Sequence, residues 1–250
     1  MTTLADMMLE VARSVTIISE GIATAGATIS LTDTNNLTEP GNYWKDGTLF
    51  LKTCTQTTMS GKVIPVLGFG ENKLTFATQS ATITVGDTYA VADKEYSRTE
   101  LMNAVLSVLR SRDAEQYNAS LTAVSGTTSY DIPAGVVGIR RVIVDGTVNQ
   151  HWHVINGHLV WPTAYAPSSG TIELIYCAPQ GTIAESGTIH ETYSFEGIKC
   201  SSIVQLLWRK LQNIGKDDPD IMDKLNFWMK MENQAWGKAR RFNPTDPRLA

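Results

Sequence analysis

Three cysteines, Cys54, Cys177 and Cys200, stand far apart and odd in number, with no CxxC spacing between them. That excludes a disulfide framework and a zinc knuckle, and it predicts free thiols buried in a reducing compartment. No stretch approaches eighteen consecutive apolar residues, so no membrane-spanning helix is expected. The opening "MTTLADMMLEVARS" carries acids inside its apolar stretch and has no basic leader, so no signal peptide is expected. Enzyme signatures are missing too. GxSxG and HExxH do not occur, "GFGENK" offers a GxG pair without the rest of GxGxxG, and "SGK" at 60–62 lacks the preceding glycine of a P-loop. The carboxylates are scattered, and nothing in the sequence pairs two of them as acid and base. Catalytic residues, metal and cofactor are all expected to be none.

What is present is a globular composition. Of 250 residues, 18% are charged and 42% hydrophobic, which excludes a disordered chain. The net charge of −4 argues against coating nucleic acid. Charge is nonetheless uneven. From Ser201 onward there are nine Lys or Arg against six Asp or Glu, a net +3, which leaves −7 for the first two hundred residues.

Hydrophobic spacing gives the elements. Leu4, Met7, Met8 and Val11 form one apolar stripe, predicting a helix over 1–13. Residues 14–94 are rich in Thr, Ile and Val and are punctuated by "TNN", "EPGN" and "KDGT". They read as a β domain of five or six short strands, barrel- or sandwich-like. Ser97 and Glu100 make a capping box for a helix over 97–112, with Leu101, Val105, Val108 and Leu109 as its apolar side. A second antiparallel β unit spans 116–179, where "VDGT" and "INGH" supply Asp-Gly and Asn-Gly hairpin turns. Helices are expected over 194–213 and 219–240. Phe195, Ile198, Ile203, Leu206 and Leu207 line the first; Ile221, Met222, Leu225, Trp228 and Met229 line the second. Asp218 is the N-cap of that last helix and Pro219 its first residue. The expected fold class is α+β: a small helical bundle with two antiparallel β inserts and an extended C-terminal arm over 241–250.

Two groups of residues invite a chemical reading. His151 and His153 lie on one face of a strand with His158 across the Asn-Gly turn, but no carboxylate at a usual ligand offset accompanies them, so surface histidines are the preferred reading. Trp208 and Trp228 lie in helices and read as structural. Trp44, Trp152 and Trp161 lie in the β parts, where stacking on sugars is the alternative to packing.

Several pieces together resemble the head-to-tail adaptor (connector) proteins of tailed bacteriophages. Tyr130 to Pro133 matches a strand reading Y-x-[IL]-P that opens a β unit. Gly170 to Tyr176 matches the closing strand G-x-[IL]-x-[LV]-x-Y. Ser194 to Asn213 matches the helix that follows and packs on an earlier one, here Ser97 to Arg112. The pattern covers roughly 95–240, the adaptor core, and extends loosely into the first β region. It departs over 180–193, which lacks the proline common at the entry to that helix.

The resemblance implies a structural virion protein without enzymatic activity, made in a host bacterial cytoplasm. It implies a homo-oligomeric ring, commonly of twelve copies, docked on the portal protein. Such a ring extends the DNA channel, lets genomic DNA pass without sequence-specific binding, and carries the next tail or neck protein. No membrane is involved. It further implies that the basic C-terminal arm docks on the portal, with Phe242 as apolar anchor. Lys238, Arg240, Arg241 and Arg248 would meet carboxylates there, and Pro244 and Pro247 would keep the arm extended. The alternatives are another virion part (tail tube, baseplate or decoration protein), a carbohydrate-binding or hydrolytic β module, and a metal protein using His151 and His153.

Overall fold

A computed structural model describes residues 2–136, 138–180, 183–191, 193–214 and 218–241. Among the described residues the protein is α+β, with four α-helices, four antiparallel sheets and no closed barrel. It forms two compact units, one drawn from Met1–Leu109 with Gly181–Ala250, the other from Arg110–Gln180.

In the first unit, α1 (Leu4–Val15) begins at a reciprocal cap. Thr3 Oγ1 accepts from the Asp6 amide at 3.1 Å, and the Asp6 carboxylate accepts from the Thr3 amide at 3.0 Å. The stripe Leu4, Met7, Met8 and Val11 is fully buried, as its spacing requires. Eight strands follow in two sheets. One has the order β1 (Ile18–Ile22), β8 (Thr88–Ala92), β4 (Thr48–Thr53), β5 (Val63–Pro65). The other has the order β2 (Ala25–Gly26), β3 (Ser30–Thr32), β7 (Lys73–Thr75), β6 (Gly68–Gly70). Leu49, Leu51, Tyr89 and Val91 of the first sheet share one core with Leu31, Phe69 and Leu74 of the second. The turn between β6 and β7 is a hairpin that the sequence hides. Glu71 (φ 52°) and Asn72 (φ 61°) both adopt the left-handed conformation that Asn-Gly would normally announce.

Helix α2 (Arg98–Ser111) starts at the predicted box: the Ser97 amide donates to Glu100 Oε2 at 2.8 Å, and the Glu100 amide donates to Ser97 Oγ at 3.3 Å. Helix α3 (Phe195–Ile214) is capped by Ser194, whose Oγ accepts from the Gly197 amide at 3.1 Å. Helix α4 (Pro219–Arg241) is capped by Asp218, which accepts from the Asp220 and Ile221 amides at 3.0 and 3.3 Å. α1 and α4 both lie against α3. The Ser107 hydroxyl of α2 bonds Gln205 of α3, and the Tyr193 hydroxyl donates to the Leu109 carbonyl at 3.1 Å.

Residues 183–191, where the adaptor pattern breaks, brace α1. The Leu4 and Ala5 amides, which have no partner inside their own helix, donate to the Gly187 and Glu185 carbonyls at 3.0 Å each. Glu185 also accepts from the Val63 amide at 3.2 Å and pairs with Arg98.

The second unit holds β9 (Asp113–Thr122), β10 (Ser129–Asp131), β11 (Ile139–Val144), β12 (Thr147–Asn149), β13 (His153–Ile155), β14 (His158–Val160) and β15 (Thr171–Pro179). They make a four-stranded sheet β12-β11-β15-β9 and a three-stranded sheet β10-β14-β13. Both predicted hairpin turns form, with Asp145 and Gly146 at φ 48° and 75° and Asn156 and Gly157 at φ 51° and 81°. Val142, Ile172 and Leu174 of one sheet share a core with Tyr130 and Leu159 of the other and with Trp161, which follows β14. Strand β9 starts at Asp113, three residues before the predicted unit and directly after α2.

Gly170, the first residue of the closing-strand motif, has a specific cause. At φ 94° a Cβ would lie 2.0 Å from the Asp145 carboxylate, and that carboxylate accepts from the Thr171 amide at 3.0 Å. The glycine lets the turn aspartate close over the start of β15.

Candidate functional site

The residues singled out from the sequence divide at Arg241. Lys238, Arg240 and Arg241 fall in the last turns of α4, so the arm expected from 241 begins as helix. Cations there suit the negative end of the helix dipole. Phe242, Pro244, Pro247 and Arg248, on which the expected extended arm depends, lie outside the described residues.

What the structure does describe is how the root of that arm is held. α4 crosses α3 where α3 presents small residues one turn apart, Gly197 and Ser201. A Cβ on Gly197 would fall 2.8 Å from Trp236 Cε2. The Trp236 indole Nε1 donates to Ser201 Oγ at 2.9 Å, and Ser201 Oγ donates to Glu232 Oε1 at 2.5 Å. The clamp therefore sits two residues before Lys238. Higher on α4, Ile221 and Leu225 are buried while Phe227 and Met229 are exposed. Of the side predicted for α4, Ile221 and Leu225 are buried and Met222 and Trp228 half-buried, while Met229 is corrected to an exposed position; the contact continues to Glu232 and Trp236. Trp208 of α3, read as structural, is likewise exposed.

The candidate histidines separate. His151 stacks on Tyr165 with ring centroids 3.9 Å apart, His153 is exposed on β13, and His158 Nδ1 pairs with Asp131 at 2.8 Å. Asp131 was invisible as a partner because it lies across the β10–β14 ladder, not at a nearby sequence offset. No group of three or more potential metal ligands occurs among the described residues. Trp44 and Trp161 are buried, with Trp44 donating to Glu39 at 2.9 Å and Trp161 to Asn149 at 3.1 Å, so neither presents a face to a sugar.

The buried carboxylates and thiols with shifted titration are held inside the fold. Burial alone would raise Asp33, but the Asn36 side chain, the Asn35 amide, the Tyr89 hydroxyl and the Asn36 amide outweigh it and hold the carboxyl below its ordinary value. Asp87 follows the same pattern, with the Thr55 and Thr84 amides overcoming burial. Burial, reinforced by Asp87, pushes the Cys54 thiol up to about 11, which makes it unreactive. Cys200 is also buried and Cys177 half-buried, and all three thiols are free. A cleft of about 460 Å³ is lined by Pro40, Asn42, Tyr43, Asp93, Lys94 and Glu95. Its Glu95 is engaged by Lys210. Neither a protein-family model nor a curated protein matches this sequence.

Proposed function

We propose that the protein is a structural virion component, a head-to-tail adaptor that forms a ring on the portal of a tailed bacteriophage. The ring extends the DNA channel and carries the tail or neck protein. In this reading no reaction is catalysed. The carrying observation is the clamp of α4 on α3 through Gly197, Ser201, Glu232 and Trp236, which fixes the exit of a basic, proline-containing segment. A docking arm needs such a rigid root, because ordering cost falls when one end is held in place. A ring that presents many arms at once gains further by multivalency.

Three further observations favour it. Tyr130–Pro133 falls at β10, Gly170–Tyr176 runs into β15, and Ser194–Asn213 coincides with α3, which is hydrogen-bonded to α2. Exposed Trp208, Phe227 and Met229 suit a chain that buries more surface on assembly. The −7 charge of the first two hundred residues suits a conduit to which passing DNA does not adhere. Mixing the purified chain with portal rings and imaging the product tests this reading. A coaxial ring of density added to one face of the portal is the expected result, and portals that remain bare at saturating protein would contradict it.

A further inference from the structure

The loop that buries Trp44 leaves its neighbour at the surface. Trp44 is 1% exposed and its indole donates to Glu39 at 2.9 Å. Tyr43 is 37% exposed, with its ring edge-to-face against Trp44 and the centroids 4.8 Å apart. The sugar-stacking role that the sequence offers for Trp44 is therefore closed to that residue and open to Tyr43. Tyr43 lines the cleft of about 460 Å³, a volume within the range of about 300–1,000 Å³ typical of small-molecule sites.

Both walls of the cleft belong to the first unit, and hydrogen bonds fix each of them. On one side the Asn42 amide donates to the Phe69 carbonyl at 2.8 Å, the Tyr43 amide to Pro40 at 3.1 Å and the Lys45 amide to Asn42 at 3.2 Å. On the other, the Asp93 amide donates to the Ile17 carbonyl at 3.1 Å. Asp93 Oδ1 accepts from the Glu95 amide at 2.9 Å and from the Thr16 hydroxyl, and Glu95 Oε1 is held by Lys210. Walls that are already ordered lose little freedom when a ligand enters.

The Asn42 carboxamide, the Tyr43 hydroxyl and the Lys94 ammonium, by contrast, bond to nothing among the described residues. Together they offer both donors and an acceptor beside an aromatic ring. Charge at the cleft cancels, with Asp93 and Glu95 set against Lys94 and Lys210. An anion would meet the Asp93 carboxylate and a cation the Lys94 ammonium, so neither is favoured. The ligand that suits this set is neutral, carries several hydroxyls and has one apolar side. We propose that the cleft binds a neutral pyranose sugar, with the C–H face of the sugar on Tyr43 and its hydroxyls bonded to Asn42 and Lys94. Carbon-bound hydrogens suit the negative face of an aromatic ring. This assignment is independent of the adaptor reading above.

Nuclear magnetic resonance titration of the full chain tests it, with methyl glucoside, methyl galactoside, N-acetylglucosamine and maltose as probes. Saturable shifts of the Gly41, Asn42, Tyr43 and Lys94 amides are expected with at least one probe, at a dissociation constant of about 10 mM or tighter. Asn42→Gly suits the left-handed backbone there (φ 64°) and removes only the carboxamide, and Lys94→Ala removes an exposed ammonium. Each is expected to weaken binding about fivefold, the effect of one lost hydrogen bond, without lowering the melt. Tyr43→Ala is expected to abolish binding and Tyr43→Phe to retain most of it. Glucuronate and glucosamine, charged relatives of glucose, are expected to bind more weakly than the neutral sugar. No shift at these amides with any neutral probe at about 100 mM overturns the assignment. Binding that Asn42→Gly and Lys94→Ala both leave unchanged overturns it too, as does a charged relative that binds more tightly than the neutral sugar. Each of these outcomes leaves the adaptor reading to its own test on portal rings.

Discussion

Trp236 of α4 rests on the one-hydrogen side chain of Gly197 in α3, with 2.8 Å between the indole Cε2 and the place a Cβ would take. The same indole is tethered to Ser201 at 2.9 Å, so it cannot swing away without losing that hydrogen bond. Gly197→Ala adds a methyl group to a filled contact. Overpacking of this kind costs about 1–3 kcal/mol, against roughly 1 kcal/mol gained from alanine's helix propensity. The net expectation is a loss of about 1 kcal/mol, or a thermal midpoint about 2–4 °C lower. Faster amide exchange over Lys230–Gly237 would place the loss at the α3–α4 contact.

Gly170→Ala is expected to be worse. It forces a side chain into φ 94° and into the space of the Asp145 carboxylate, which then releases the Thr171 amide. Backbone strain and the lost charged hydrogen bond together predict about 2–4 kcal/mol by urea denaturation. Gly126→Ala, where a Cβ meets nothing within 4 Å, controls for positive φ alone (φ 79°) and should cost distinctly less.

Glu185 ties residues 183–191 to the rest of the first unit through Arg98 and the Val63 amide, and both carboxylate and guanidinium are mostly covered. Glu185→Ala is expected to cost about 2 kcal/mol, because a charged hydrogen bond is lost and Arg98 keeps only its bond to the Val63 carbonyl at 2.8 Å. Hydrogen exchange at Leu4 and Ala5 is the specific readout, since their amides are protected by the carbonyls of this segment.

Acid should unfold the first unit through Asp33 and Asp87. Both carboxyls lie below their ordinary value of 3.8 in the folded protein. The unfolded chain therefore binds the proton first, and the stabilisation they give is complete above about pH 5. It declines as pH falls through the unfolded value and is gone below the folded one. Asp33→Asn and Asp87→Asn should flatten the dependence of the urea midpoint on pH in the acid range, and an unchanged slope in the double variant would count against these two groups.

What was legible in the sequence was local. The capping pair Ser97–Glu100, the stripe from Leu4 to Val11, and the Asp-Gly and Asn-Gly turns are each made by residues within a few positions of one another. The helix bounds at Ser194 and Asp218 were readable for the same reason. What was hidden depends on distant partners. Glu71–Asn72 turns left-handed because β6 and β7 pair in register; Asn72 tolerates that conformation, but Glu71 does not announce it. Asp131 meets His158 only across a ladder. On α4 the stripe Ile221, Leu225 and Trp228 was readable, but its continuation to Glu232 was not, because a glutamate reads as solvent-facing until Ser201 of α3 supplies its partner. Trp208 reads as core by type, yet the sequence gives no sign that its side of α3 is exposed among the described residues.

The account turns on the segment that follows the clamped end of α4. Deleting Phe242–Ala250 leaves every described helix and strand in the sequence, and melting temperature and circular dichroism are expected to stay as they are. Co-sedimentation with purified portal rings is the decisive measurement. The account predicts that the full chain pellets with the rings and the truncated chain stays in the supernatant. Undiminished co-sedimentation of the truncated chain would contradict it.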